Sequence, residues 1–192
     1  MPSRSLQTWR VEGCRALDAI ESAYWVVGDP ERGRRFAVQQ INQAYVLLLS
    51  SWFQAFCRDL HTECIEHLVG NVEPVAVQGF VRRRFVEGRK LDAGNPNAGN
   101  IGSDFDRFGL KFWPALALHS RHTESRRRRL LNMNQWRNAV AHQDFTNPDL
   151  SGQDLLRLTE IRLWRKTCDQ LAVDFERVMH HYLEDVTGIA PW

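Results

Sequence analysis

The segment AYVLLLSSWFQAF, residues 44–56, constrains this chain more than any other stretch. Its apolar side chains are spaced so that a helix built from it is apolar on nearly every side. Such a helix has no face to offer water, so it has to run through the middle of the fold with other elements wrapped around it. Two serines and a glutamine interrupt it, and it falls short of the roughly 18 apolar residues that span a bilayer. It is therefore a core element. The surrounding pattern extends it from about residue 31 to 69, with Gly70-Asn71 as its stop. A helix of that length predicts a kink or a break near Gly33.

The rest of the chain is patterned to wrap. Leu6, Trp9, Leu17, Ile20, Tyr24 and Val27 form an N-terminal helical stripe, closed by Gly28-Asp29-Pro30. Pro74 opens a helix that runs to about Glu87. LDAGNPNAGNIG, residues 91–102, reads as a loop, because Gly, Asn and Pro each favour turns. Ser103 then reads as the N-cap of a short helix, DFDRFGL. After KFWPALALHS a helix runs from about Glu124 to His142 and stops at QDFTNPDLSGQ. In the last helix, from about Thr159 to Gly188, residues Ile161, Trp164, Cys168, Leu171, Phe175, Val178 and Tyr182 keep spacings of three and four. Strand signals are few, and there is no internal repeat or low-complexity linker. The 192 residues predict one all-α domain over 1–192, a helical bundle with long central and C-terminal helices.

Composition narrows the function classes. Apolar residues at 43% and charged residues at 25% make an ordinary soluble globular mix. The N-terminal MPSRSLQTWRVEG has neither an apolar signal core nor a cleavage pattern, so a cytoplasmic location and no membrane partner are expected. The net charge of +2 names no partner by itself. Arginines nonetheless cluster at 82–84 and again at Arg126, Arg127, Arg128 and Arg129. Such runs are either solvated faces or sources of sequence-independent phosphate affinity. The four cysteines form no C-x-x-C pair and read as reduced thiols. Cys57, His61, Cys64 and His67 share one helical stripe, but a single helix rarely wraps a metal tetrahedrally, so core packing is expected and no metal or cofactor. Trp9, Trp52 and Trp164 fall on apolar stripes and read as core. GNPNAGNIG lacks the order of a phosphate-cradling loop.

The stretch that carries chemistry is NQWRNAVAHQ, residues 134–143, with Arg137, Asn138 and His142 inside two helical turns. A guanidinium is always charged and its planar fork suits phosphate. An imidazole titrates near neutrality and suits proton transfer. At about 100° per residue, Asn138 and His142 lie about 40° apart, while Arg137 is about 140° from His142. The arginine and the histidine therefore meet one phosphate only through the reach of the arginine or in a groove between two copies. Asn138 is placed to orient His142. In the bland alternative His142 caps the helix end, where the dipole favours cations, and Arg137 pairs with a carboxylate.

Arg137, Asn138 directly after it, and His142 match the R-[N/H/D]-x-x-x-H signature, so the chain resembles the HEPN superfamily of small helical bundles. AYVLLLSSWFQAFCRDL is similar to the long central helix of its RiboL-PSP and MAE-type branch. NPNAGNIGSDFDRFGL and LWRKTCDQLAVDFERVMHHYLEDVTG resemble later segments of that branch, and the likeness covers residues 36–188 or so. The resemblance implies a metal-independent endoribonuclease that works as a homodimer on RNA, with Arg137, Asn138 and His142 at its centre. It also implies a toxin or defence role with a neutralising antitoxin protein as partner. Other members of the superfamily bind a protein, a nucleotide or a nucleic acid without cutting, and that alternative stays open. Two positions depart from the pattern. Gln54 stands where relatives often carry an acid on the central helix, with Asp59 and Glu63 one and two turns on. Asp144 stands where one toxin branch has a modified tyrosine.

Overall fold

The computed structural model describes residues 1–27, 35–146, 150 and 155–192, and among these there is no β-strand. The chain is all-α. In order, α1 (Arg4–Thr8) passes through a π-helical turn (Trp9–Gly13) into α2 (Cys14–Val27). Next come α3 (Arg35–Gly70), α4 (Gln78–Val86), α5 (Lys90–Ala93) and α6 (Ala98–Phe105). α7 (Phe112–His119), α8 (Thr123–His142) and α9 (Leu158–Thr187) complete it. The stop expected at Gly28-Asp29-Pro30 and the break expected near Gly33 lie outside the described residues.

α3 is the axis. At 36 residues it runs about 54 Å. It packs on α1, α2, α4, α5, α6, α8 and α9, as an all-round apolar helix must. Tyr45, Val46, Leu49, Phe53, Phe56, Cys57, Leu60, Cys64 and Ile65 are buried along it. Each large apolar side chain there contributes about 1.5–3 kcal/mol of transfer free energy. α9 lies alongside with Ile161, Trp164, Cys168, Leu171, Phe175, Val178 and Leu183 buried. The stripe predicted for the last helix is thus its core face, except that Tyr182 stays half-buried.

The Cys57–His67 stripe packs as expected. Both Cys57 and Cys64 are fully buried, and burial pushes their thiols well up. His61 is buried against the rings of Phe105 and Phe108. Among the described residues, no group of three His, Cys, Asp or Glu is arranged to hold a metal ion. Nor is any helix long and apolar enough to cross a membrane.

The 91–102 segment departs from the expected loop. Residues 90–93 form α5, because both carboxylate oxygens of the buried Asp104 accept from the backbone N–H groups of Lys90 (2.9 Å) and Leu91 (2.8 Å). That cap comes from 13 and 14 residues down the chain, so no local pattern announces it. α6 starts at Ala98 and not at Ser103. Asn97 is its N-cap, the side-chain oxygen accepting from the N–H of Asn100 at 2.8 Å. Gly102 then falls inside this helix, with the ring of Trp113 against it; a Cβ there would approach that ring to 3.0 Å.

Candidate functional site

α8 carries both the arginine run and the motif, and the fold sorts its residues by face. Leu130, Met133, Asn134, Trp136, Ala139 and Val140 turn inward. Arg128, Leu131, Asn132, Ala141 and His142 are exposed, and Arg137 and Asn138 lie half-buried between the two sets.

The run Arg126–Arg129 divides. Arg126 points into the bundle, where its guanidinium makes a short ion pair with Asp174 of α9. It also donates to Ser120 Oγ (3.1 Å) and Gln170 Oε1 (3.2 Å). Its charge is committed to holding α8 on α9, so it is not available to a nucleic acid. Arg127 donates to Glu124 (3.2 Å) and lies over the ring of Trp113, 5.0 Å from its centroid. Arg128 and Arg129 remain at the surface. Of the four arginines expected to hold RNA, these two are the exposed ones.

At the motif, Arg137 Nη1 donates to Asn138 Oδ1 at 3.2 Å. Among the described residues no carboxylate pairs with Arg137, so its positive charge meets only a neutral amide there. The same Asn138 oxygen accepts from Asn95 Nδ2 at 3.0 Å. It is therefore engaged by Arg137 and Asn95, and among the described residues no hydrogen bond joins Asn138 to His142. The orienting role expected of Asn138 acts on the arginine.

His142 stands exposed in the last turn. Its side chain does not close the helix. The backbone does, with Gln143 N–H donating to Val140 O (3.3 Å) and Asp144 N–H to Ala139 O (3.0 Å). Gln143 takes the left-handed conformation that this closure demands, with φ at 53°, an uncommon state for a residue with a Cβ. The chain then turns so that Asp144 follows. Thr146 donates to Asp144 Oδ1 through its hydroxyl (2.7 Å) and its N–H (3.1 Å). Those bonds, with a smaller attraction from His142, hold the Asp144 carboxyl below its ordinary range.

The motif helix meets the 94–97 loop that joins α5 to α6. Asn134 Nδ2 donates to Pro96 O at 3.2 Å, and Asn95 reaches Asn138 one turn further along. This loop lacks the order of a phosphate-cradling loop, so its part in the site is not announced by a motif. The available signal was three asparagines, Asn95, Asn97 and Asn100, with Asn134 facing them from α8, whose amides both donate and accept. Gln54 is equally structural here, donating to Leu91 O at 2.8 Å. Glu63 accepts from the N–H groups of Arg4 (3.0 Å) and Ser5 (2.6 Å), and Asp59 lies beside Arg58. None of these replaces an acid at the motif.

Set against protein-family models, curated proteins and solved structures, the chain matches none.

The site at the end of α8 is what bears on function. It presents an arginine fixed by an amide and a solvent-facing histidine on one helix end. Those are the groups needed to receive a phosphate and to move a proton next to it.

Proposed function

We propose that this chain is a metal-independent endoribonuclease of the HEPN type, acting on RNA as a homodimer. The observation that carries the reading is Arg137, whose charge no carboxylate among the described residues compensates and whose guanidinium is held by Asn138 on the helix that ends at the exposed His142. An arginine kept for structure is normally paired, as Arg126 is with Asp174.

The reaction needs no metal, because RNA carries its own nucleophile. A base takes the 2′-hydroxyl proton, the oxygen attacks the adjacent phosphorus, and the bond to the 5′-oxygen breaks. An acid returns a proton to that leaving oxygen, giving a 2′,3′-cyclic phosphate and a 5′-hydroxyl. His142 and its copy across a two-fold axis serve as base and acid. Arg137 stabilises the charge that grows on phosphorus. Arg128 and Arg129, about 20 Å back along α8 from His142 and about 13 Å from Arg137, hold the flanking backbone. As a toxin or defence effector it would also need a neutralising protein partner.

The test is cleavage of a single-stranded RNA oligonucleotide in EDTA. The wild type should cut it, should leave 2′-deoxy linkages intact, and should lose activity on His142→Ala with unchanged circular dichroism. Unchanged cleavage in that variant removes the mechanism. RNA bound but left whole by the wild type favours a non-catalytic binding module instead.

A further inference from the structure

The loop between α5 and α6 contributes no acid, base or charge, yet its amides are ordered as a directional relay that ends on Arg137. The direction is set independently at each end. Arg137 has only N–H donors, so the atom facing its Nη1 has to be the oxygen of Asn138. At the other end the backbone N–H of Asn100 can only donate, and it does so to Asn97 Oδ1 at 2.8 Å. That turns Asn97 Nδ2 toward Asn95 Oδ1, 2.7 Å away. Asn95 Nδ2 is left facing Asn138 Oδ1 at 3.0 Å. Both ends demand the same orientation of Asn95, so its amide has one satisfactory state and not two. Its carbonyl oxygen is held as well, accepting from Asn97 N–H (2.8 Å) and Asn100 Nδ2 (2.9 Å). Gly94 is part of the device. A Cβ at that position would lie 2.5 Å from Asn100 Nδ2.

We propose that Asn95 is a positioning residue for Arg137. By donating to Asn138 it pins the oxygen that holds the guanidinium, and so sets where a phosphate is received. The hydrogen-bond pattern carries this assignment, while its consequence for turnover rests on the endoribonuclease reading. Without the donor from Asn95, the Asn138 amide turns freely and Arg137 regains its rotamers. Each bound phosphate then has to order the arginine again, and misplacement by about 1 Å costs on the order of 100-fold in rate.

Two substitutions break the relay differently. Asn95→Leu keeps the shape of the side chain and removes the donor. Asn97→Asp keeps a good N-cap for α6 but sets a carboxylate oxygen against Asn95 Oδ1. That forces the Asn95 amide to flip and to show its oxygen to Asn138. Asn138→Asp is the conservative control, because it still accepts from both Arg137 and Asn95.

The first readout is the side-chain ¹⁵N–¹H spectrum of Arg137, assigned from Arg137→Lys. Rotation about the Arg137 guanidinium should be slow in the wild type and in Asn138→Asp. It should be fast in Asn95→Leu and in Asn97→Asp. The second readout is cleavage of the RNA oligonucleotide. Asn95→Leu should lower kcat/KM by about 10- to 100-fold. In an Arg137→Ala background it should cause no further loss, since it acts through that arginine. An Arg137 signal unchanged in both relay variants overturns the proposal, and so does a loss that simply adds to that of Arg137→Ala. If Arg137 is released as expected while even the wild type cuts no RNA, the positioning role stands and the endoribonuclease reading fails.

Discussion

Replacing Arg126 separates structure from RNA contact along the arginine run. Arg126 and Asp174 have side chains only 12% exposed each, and the guanidinium also satisfies Ser120 and Gln170. Arg126→Met keeps the length of the side chain and removes its charge, leaving the Asp174 carboxylate in a nearly closed site without its partner. Breaking a buried pair on one side costs about 3–5 kcal/mol. Residual solvent at both groups argues for the lower end, about 3 kcal/mol. For a chain of this size that corresponds to a Tm lower by about 6–12 °C, at 2–4 °C per kcal/mol. Thermal melting followed by circular dichroism at pH 7 measures it. Arg126→Met with Asp174→Leu removes both charges, and an apolar replacement of a buried pair is often neutral, so the double variant should recover most of the lost Tm. RNA affinity, measured by fluorescence anisotropy in the uncleaving His142→Ala background, should not change in Arg126→Met. A Tm within about 1 °C of the parent, together with a tenfold loss of RNA affinity, would refute the reasoning: Arg126 would then be a phosphate contact and the ion pair incidental.

Arg128→Glu with Arg129→Glu should have the opposite signature. RNA binding should weaken, and the slope of log affinity against log salt should fall by about 1.4, at roughly 0.7 per single-strand phosphate contact, with little change in Tm. Acid should destabilise the fold through His61. Burial, then the nearby charge of Arg89, lowers its pKa from 6.5 to about 4. The unfolded chain therefore takes up a proton that the folded chain refuses. Stability is full above about pH 6.5 and falls as pH drops toward 4, by about 2–3 kcal/mol from this group. Urea unfolding at pH 7.0 and 4.5 should show that difference, and His61→Leu should show a smaller one. Gly109→Ala should cost about 1–2 kcal/mol, because φ is 94° there and a Cβ would sit 3.4 Å from the Tyr182 hydroxyl. A melting temperature unchanged in that variant would contradict the strained turn.

Much of the fold was legible in one dimension. The 44–56 segment is apolar on nearly every side, so a central place follows from its composition, and only Ala44 and Ser51 within it are exposed. The 3.6-residue stripe of α9 likewise names its own core face. The motif too could be read from spacing, since Arg137, Asn138 and His142 lie on one helix whose geometry is known in advance. The sequence could not say which arginines of the 126–129 run are spent inside. Four consecutive residues point in four directions, and only the position of Asp174 on α9 decides which one is neutralised. Asn97 and not Ser103 caps α6: both residue types are competent caps, and it is the Asn97 side chain that accepts from a first-turn N–H, that of Asn100.

Local pattern thus determined helix content, the central place of α3, and the presence of an arginine and a histidine near one helix end. Tertiary structure alone decided what surrounds them. Periodicity is a property of one chain segment and can be computed from it. Partnership between Asp104 and α5, Asp174 and Arg126, or Asn95 and Asn138 joins residues 13 to 48 positions apart. A hydrogen bond tolerates only a few tenths of an ångström, so such pairings exist only once packing has brought the helices to their final places.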